Sequence, residues 1–151
     1  MEKSQVHQAW IFDSRFRTNI EDPPSTTNFK FPDIHHISRF GVKCIYIDPS
    51  VLALVPLGSN FIMIRCSWNR YLKKSNMYNG YTGADILELV PLTPYHEFQD
   101  ISYYHMDFLT MERGIISDID IDLCDSFGNS LPLSSANPNH KWTIVMNTNI
   151  F

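Results

Sequence analysis

The stretch at residues 115–124 reads Ile-Ile-Ser-Asp-Ile-Asp-Ile-Asp-Leu-Cys, and it alternates apolar and polar side chains more regularly than any other part of the chain. Side chains of a strand point to opposite faces in turn, so a period of two predicts a half-buried β-strand. The apolar residues that we expect to face a core are Ile115, Ile119, Ile121 and Leu123. The opposite face would carry a row of carboxylates about 7 Å apart, at Asp118, Asp120 and Asp122. Such a row faces either water or a positively charged partner.

Short strand-like segments also make up most of the remaining sequence, which contains nine prolines and few helix signals. Turn residues separate these segments, and the branched and aromatic side chains within them suit a pleated surface. The other predicted strands lie at residues 6–13, 28–31, 42–48, 61–68, 85–90, 101–109 and 141–146. The pattern predicts an all-β sandwich or barrel in one domain spanning residues 1–151. Because about eight strands is the number in a jelly roll, we expect a single jelly-roll β-sandwich.

Residues 14–27 differ from these segments because they are polar and contain two consecutive prolines, Pro23 and Pro24. Two interpretations are open. The segment is either a long surface loop or an extended arm that reaches a neighbouring subunit. In the second case Arg15 and Arg17 would be its contact groups.

Charge and cysteine usage narrow the class of protein. A net charge of −4 disfavours a protein that coats nucleic acid, and the densest basic cluster comprises only Arg70, Lys73 and Lys74. The chain has three cysteines, an odd number that predicts buried free thiols from a reducing compartment rather than a disulfide framework. We find neither an apolar leader nor an apolar run long enough for a membrane helix, so direct membrane insertion is not expected.

No known catalytic motif is present, and we predict neither an enzyme nor a cofactor. A cupin-like metal site would need a His-x-His pair on one strand, which the chain lacks, although we considered His35, His36, His96, His105 and Glu97. A straight strand cannot wrap a cation by itself, so a calcium site at Asp118–Asp125 would need help from a loop or a neighbour. A salt contact to a facing Arg or Lys is the other alternative.

Several aromatic residues would also suit a sugar-binding platform, although such residues are equally ordinary in cores and interfaces. They are Tyr71, Tyr78, Tyr81, Tyr95, Tyr103 and Tyr104. A carbohydrate- or peptide-binding β-sandwich therefore stands as an alternative function.

Three segments, in this order, resemble the minor capsid proteins of large double-stranded DNA viruses and virophages. The first is Trp-Ile-Phe-Asp-Ser-Arg-Phe-Arg-Thr-Asn at residues 10–19, followed by Asn-Phe-Lys-Phe at 28–31. The second is the central Asn-Phe-Ile-Met-Ile-Arg-Cys at residues 60–66. The third is the closing strand pair at residues 119–125 and 142–146, around an Asp-x-x-Gly turn.

The resemblance implies a penton-type single jelly roll without catalytic residues, forming a homopentamer at the five-fold vertices of an icosahedral capsid. Its partners would be the major capsid protein and other minor capsid proteins, and another minor (cement) position in the capsid is the alternative. The protein would reside in the virion after assembly in the host cytoplasm or nucleus. Ring assembly would use unlike surfaces. The residues predicted to contact neighbouring subunits are Arg15, Arg17, Asp118, Asp120 and Asp122.

Overall fold

The structure is a computed structural model that describes residues 6–68, 86–92, 98–100, 109–110 and 115–150. Within these ranges the chain is all-β apart from one short α-helix, the 3-10 turn that follows β1, and residues 67 and 68, which have 3-10 conformation. The strands are β1 (Val6–Asp13), β2 (Thr26–Ile47), β3 (Phe61–Cys66), β4 (Ile86–Pro91), β5 (Phe98–Asp100), β6 (Leu109–Thr110), β7 (Ile115–Asp125) and β8 (Trp142–Ile150). The 3-10 turn is Ser14–Phe16 and the helix α1 is Pro49–Leu52.

The long strand β2 organises the whole fold because its two halves pair with different partners. Residues 26–36 pair with β7, which also pairs with β3, and β3 pairs with β4. Residues 37–47 pair with β8, which also pairs with β1, while β5 and β6 lie on the other side of this half of β2. All pairs are antiparallel. We call the part containing β1, β8, residues 37–47, β5 and β6 sheet A, and the part containing residues 26–36, β7, β3 and β4 sheet B.

The change of partner follows a bend in β2. The register with β7 shifts between Lys30 and His35, and this shift leaves extra residues on β2 that bend the strand. Pro32 lies in this unpaired stretch, where its missing N–H removes no ladder hydrogen bond. The sequence predicted two separate strands, at residues 28–31 and 42–48. They are parts of one strand that runs from sheet B into sheet A.

One hydrophobic core lies between the two sheets. Ring contacts cross from sheet A to sheet B, with the ring centroids of Phe12 and Phe29 5.4 Å apart and those of Phe29 and Trp142 6.2 Å apart. The indole N–H of Trp142 is satisfied by the carbonyl of Pro24, and that of Trp68 by the carbonyl of Asp118. The antiparallel sheet therefore curls around a shared core.

The alternation of β7 is confirmed for most of its length and wrong at its start. Ile119, Ile121 and Leu123 are completely buried in the core. Ile115 is 65% exposed, and its neighbour Ile116 is buried in its place. The bulge in the pairing with β2 explains this correction, because a register shift exchanges the two faces of a strand.

Two further predictions concern the closing strands and the cysteines. The Asp-x-x-Gly turn after β7 forms as a tight turn with Gly128 at φ +89°, and the carboxylate of Asp125 accepts the N–H groups of Phe127 and Asn129. However, β7 and β8 are not a hydrogen-bonded pair, since β7 belongs to sheet B and β8 to sheet A. The prediction of buried free thiols is confirmed for Cys44, Cys66 and Cys124.

Candidate assembly surfaces

The acidic row of β7 lies on the outer face of sheet B, where a single amide links two of its carboxylates. Asn28 on β2 donates through Nδ2 to Oδ2 of Asp118 at 3.0 Å and to Oδ1 of Asp120 at 2.6 Å. The amide dipole offsets part of the repulsion between like charges on one strand face. Asn28 was quoted in the sequence motif, but its role in holding the acidic row depends on the pairing of β2 with β7.

The three carboxylates of the row have different neighbours across the sheet. Asp118 lies opposite Lys30 on β2, and Asp122 lies opposite Arg65 on β3. Asp120 lies opposite uncharged Asn28, and its backbone N–H donates to the hydroxyl of Ser67 at 2.9 Å. Asp120 is thus the member of the row that has no cation directly across from it.

The other end of this face is apolar. Met63 and Cys124 lie opposite each other on β3 and β7 and form a small buried cluster with partly buried Phe61. Burial raises the pKa of the Cys124 thiol, with a smaller opposing effect of Arg65, so the thiol stays protonated at neutral pH. A protonated, buried thiol is a poor nucleophile, which argues against a catalytic role for this cysteine.

On sheet A, by contrast, Asp13 at the end of β1 is built into the fold. Both oxygens of its carboxylate accept from the Arg15 guanidinium, at 3.0 and 2.7 Å, and one also accepts the Arg15 backbone N–H that begins the 3-10 turn. The hydroxyl of Thr143 on β8 donates to the same carboxylate at 3.1 Å. Burial alone would raise the pKa of Asp13, but these hydrogen bonds outweigh it and hold the pKa below its ordinary value.

Arg15 therefore lies on the outer face of sheet A, and two more cations follow on the same face. Its guanidinium also lies 5.7 Å from the ring centre of Phe16, and more than half of its side chain is exposed. Arg39 and Lys43 are exposed residues of β2. They alternate with the buried core residues Phe40 and Val42, so they project away from the core. The sequence offered no sign that these two belong together with Arg15.

Arg17 has a different environment from Arg15. It is only 7% exposed, and its guanidinium donates to the carbonyls of Asp22 at 2.9 Å, Ser14 at 2.6 Å, and Ile20. Burial lowers the pKa of this guanidinium, with an opposing contribution from Asp22, yet an arginine remains charged at neutral pH. By binding three carbonyls of its own loop, the Arg17 side chain stabilises the conformation of residues 14–22.

The rest of this segment also folds against its own chain. Thr18 covers the edge of β2, since its N–H donates to the carbonyl of Asn28 and its hydroxyl accepts the N–H of Lys30. Further on, the carbonyl of Ser25 accepts the N–H of Leu123 on β7. Residues 14–25 are therefore a packed surface loop in this structure, and residues 26 and 27 of the predicted segment already belong to β2. An arm remains a prediction for the assembled state, and in the present conformation the guanidinium of Arg17 is engaged by its own loop.

A small cleft of about 150 Å³ lies between this loop and the loop before β8, beside Arg15, Arg17 and His140. His140 is held through Nδ1, which accepts the N–H of Ser134 at 2.8 Å. Because the facing guanidinium of Arg17 is already used within its loop, the cleft offers few uncommitted polar groups.

The described ranges contain part of the predicted metal ligands and none of the tyrosines of the sugar platform. No group of three His, Cys, Asp or Glu side chains suited to a metal ion occurs among the described residues. His35 packs edge-on against Trp10, with the ring centroids 5.0 Å apart. The described ranges do not include several predicted candidates, namely His96, Glu97, His105, the six tyrosines of the sugar platform, Arg70, Lys73 and Lys74.

Among the described residues, no helix is long and apolar enough to cross a membrane. Comparison with known proteins finds no family and no curated protein that matches this sequence.

Proposed function

We propose that this chain is a structural virion protein, a single jelly-roll capsid protein of penton type that forms a homopentamer at the five-fold vertices of an icosahedral capsid. The proposal includes the finer description of the fold as a jelly roll. It also includes the partners, which are further copies of this chain and the major capsid protein. No catalytic function is included.

The strand order is the observation that carries the proposal. A jelly roll places its first, eighth, third and sixth strands side by side in one sheet, and its second, seventh, fourth and fifth in the other. If β2 is counted as two strands that meet at its bend, sheet B has the order residues 26–36, β7, β3, β4. These are the second, seventh, fourth and fifth strands of the chain.

Sheet A supports the same interpretation. Its order is β1, β8, residues 37–47, and then β5 with β6, which pair with successive parts of the same half of β2. Taken together as one interrupted strand, β5 and β6 occupy the sixth position. Corners made by one strand that passes between two sheets through a bulge are a known device of packed β-sheets.

The position in a capsid is supported by the resemblance of three sequence segments, whose residues lie at informative places in the fold. The Asp-Ser-Arg element is the point where Asp13 caps the 3-10 turn and binds Arg15. The Asn-Phe segment supplies Asn28 to the acidic face and Phe29 to the core. These residues serve the fold and its surface and contain no catalytic arrangement.

The test has two parts. Native mass spectrometry of the purified protein should give five copies, and negative-stain averages should show five-fold rings. Antibody labelling of virions should then locate the protein at the vertices. A monomer at every concentration together with absence from particles would overturn the proposal. Labelling elsewhere on the capsid would replace the vertex position with a cement role, and specific binding on a glycan array would favour the sandwich-type binding module instead.

A further inference from the structure

We infer that the cleft between the loop at residues 14–25 and the loop before β8 binds a small tetrahedral oxyanion, such as phosphate or sulfate. The lining side chains on which the inference depends are those of Arg15, Arg17, Ser135, Asn137 and His140. We call this site the arginine cleft. The ligand is bound by a single chain, so the inference goes beyond the capsid proposal and does not depend on it.

The charge of the lining is the first argument. Two of the lining side chains are guanidinium groups, and no Asp or Glu occurs among the described residues that line the cleft. Arg15 is partly neutralised by Asp13, which binds Nε and Nη2 and leaves Nη1 unused within the described part of the chain. Arg17 donates to three carbonyls rather than to a carboxylate, so it adds a fixed and largely buried positive charge. This arrangement favours an anion over a neutral ligand.

The few uncommitted groups of the cleft include two donors that face each other, and these are the second argument. Nδ1 of His140 accepts the N–H of Ser134 at 2.8 Å, so the hydrogen of the neutral ring is on Nε2. Nε2 lies 3.1 Å from Nδ2 of Asn137, whose amide is oriented because its Oδ1 accepts the N–H of Asn139 at 3.0 Å. Donors without an acceptor carry a free-energy penalty, which an oxygen of the anion would remove for both.

The positions of the donors favour a tetrahedral ligand. Arg15 belongs to the loop after β1, whereas Ser135, Asn137 and His140 belong to the opposite wall. A carboxylate accepts hydrogen bonds mainly within one plane, but the oxygens of phosphate or sulfate accept from several directions, and a guanidinium matches them well. The cleft volume of about 150 Å³ is smaller than the roughly 300–1,000 Å³ of pockets for drug-sized ligands. It therefore suits an ion or a single phosphoryl group.

Both walls of the cleft are held in place before any ligand binds. In the loop before β8, the N–H of Asn137 donates to the carbonyl of Ser134 at 3.2 Å, and that of His140 donates to the carbonyl of Asn137 at 3.1 Å. The two walls are joined where the N–H of Trp142 donates to Oγ of Ser14 at 3.0 Å. Donors that are already in position lose little conformational freedom when a ligand arrives.

Titration of the isotope-labelled protein with sodium phosphate, followed by amide NMR shifts, tests the site. Sodium chloride keeps the ionic strength constant, so that general screening of charges does not contribute. The wild type should show saturable shifts, strongest at residues 134–140. Asn137→Asp should bind at least tenfold more weakly, because its carboxylate repels the anion and itself accepts from His140. Asn60→Asp makes the same charge change at an exposed residue outside the cleft and is the matched control, which should bind like the wild type.

Arg15→Met is a second variant that should also weaken binding about tenfold, because it removes a charged donor. Thermal melts establish that each variant is folded. A parallel titration with phosphoserine distinguishes the source of the anion: equal or weaker binding than phosphate indicates a free ion, and tighter binding indicates a phosphoryl group carried by a larger molecule. The absence of saturable shifts with both ligands, or equal affinity in the wild type, Asn137→Asp and Arg15→Met, would overturn the site. Neither result bears on the pentamer, which is tested separately.

Discussion

The loop after β1 and the outer face of β7 both carry conspicuous charges, but they use them in opposite ways. In the loop, Arg17 is buried among carbonyls and Asp13 is bound by Arg15 and Thr143. On β7, Asp118 and Asp120 are exposed and are held only by the amide of Asn28 among the contacts described above. The first group stabilises the fold, whereas the second is available to a partner. Equal prominence in a sequence therefore does not mean an equal role.

The largest effect should come from the buried charge. Arg17→Met removes hydrogen bonds to three carbonyls, of which that of Ser14 keeps the backbone N–H of residue 17 as a donor. We expect the free energy of unfolding to fall by about 3–5 kcal/mol in urea titrations, because hydrogen bonds to charged groups are among the strongest and orphaned buried acceptors are penalised. Arg15→Met is the matched control, and because the ion pair of Arg15 with Asp13 is largely exposed on the arginine side, this variant should lose much less stability than Arg17→Met. Equal losses of stability in Arg17→Met and Arg15→Met would contradict the distinction between a buried arginine that stabilises the fold and an exposed one.

The next effect compares two aspartates. Asp13→Ala removes the cap of the 3-10 turn and the acceptor for Arg15 and Thr143, so we expect a loss of about 1–3 kcal/mol. Asp120→Ala should stay within about 0.5 kcal/mol of the wild type, as exposed substitutions usually do. Chemical denaturation at neutral pH measures both values.

The comparison of the wild type with Asp13→Ala also gives a pH test. Because the pKa of Asp13 in the folded protein lies below its unfolded value of 3.8, its contribution is present above that value and is lost as the pH falls through the folded pKa. The stability difference between the wild type and Asp13→Ala should therefore narrow in acid. A difference that stays constant down to about pH 2 would show that the charge of Asp13 is irrelevant.

Glu88 on β4 should behave in the opposite sense. Burial raises its pKa, only partly offset by the Leu89 N–H, so the folded protein favours the protonated carboxyl. Its stabilising effect is complete below the unfolded pKa of 4.5 and is lost as the pH rises through the folded pKa. Glu88→Gln should then be more stable than the wild type at neutral pH by an amount on the order of 1 kcal/mol. The two proteins should converge in thermal melts below about pH 4, and a neutral-pH loss of stability in the variant would refute this.

The smallest effect concerns the amide bridge. Asn28→Ala leaves Asp118 and Asp120 adjacent without their shared donor, and we expect a loss of about 0.2–1 kcal/mol at low ionic strength. Part of this loss of stability comes from repulsion between the exposed carboxylates of Asp118 and Asp120. About 1 M salt should therefore restore much of the lost stability. A loss that does not change with salt would mean that the amide acts through packing rather than charge.

Local periodicity was sufficient for the strands whose two faces differ throughout. It placed β1 at residues 6–13 and the core side of β7 at Ile119, Ile121 and Leu123, which the structure confirms. It failed where pairing with a distant strand decides the outcome. The register shift between β2 and β7 places Ile115 on the outer face and Ile116 in the core. The two strands predicted at residues 28–31 and 42–48 are one continuous strand, β2, which pairs with β7 and then with β8. No local pattern contains that information, because register is a property of two strands.

The candidate site shows the same limit. Arg15 and Arg17 look alike in the sequence, and only the folded loop shows that the first faces outward while the second is enclosed. Likewise, Arg39 and Lys43 join Arg15 on one face only after β1, β8 and β2 have paired. The acidic row, in contrast, was predictable because all of it lies on one strand.

The mass of the assembled wild-type protein tests the central proposal most directly. Native mass spectrometry over a range of protein concentrations should show a species of five copies of the 17.5 kDa chain, with incomplete open chains of fewer copies at lower concentration. Contact between unlike faces predicts such growth by single copies. A protein that stays monomeric at every concentration, or stops at a closed dimer, would contradict the ring.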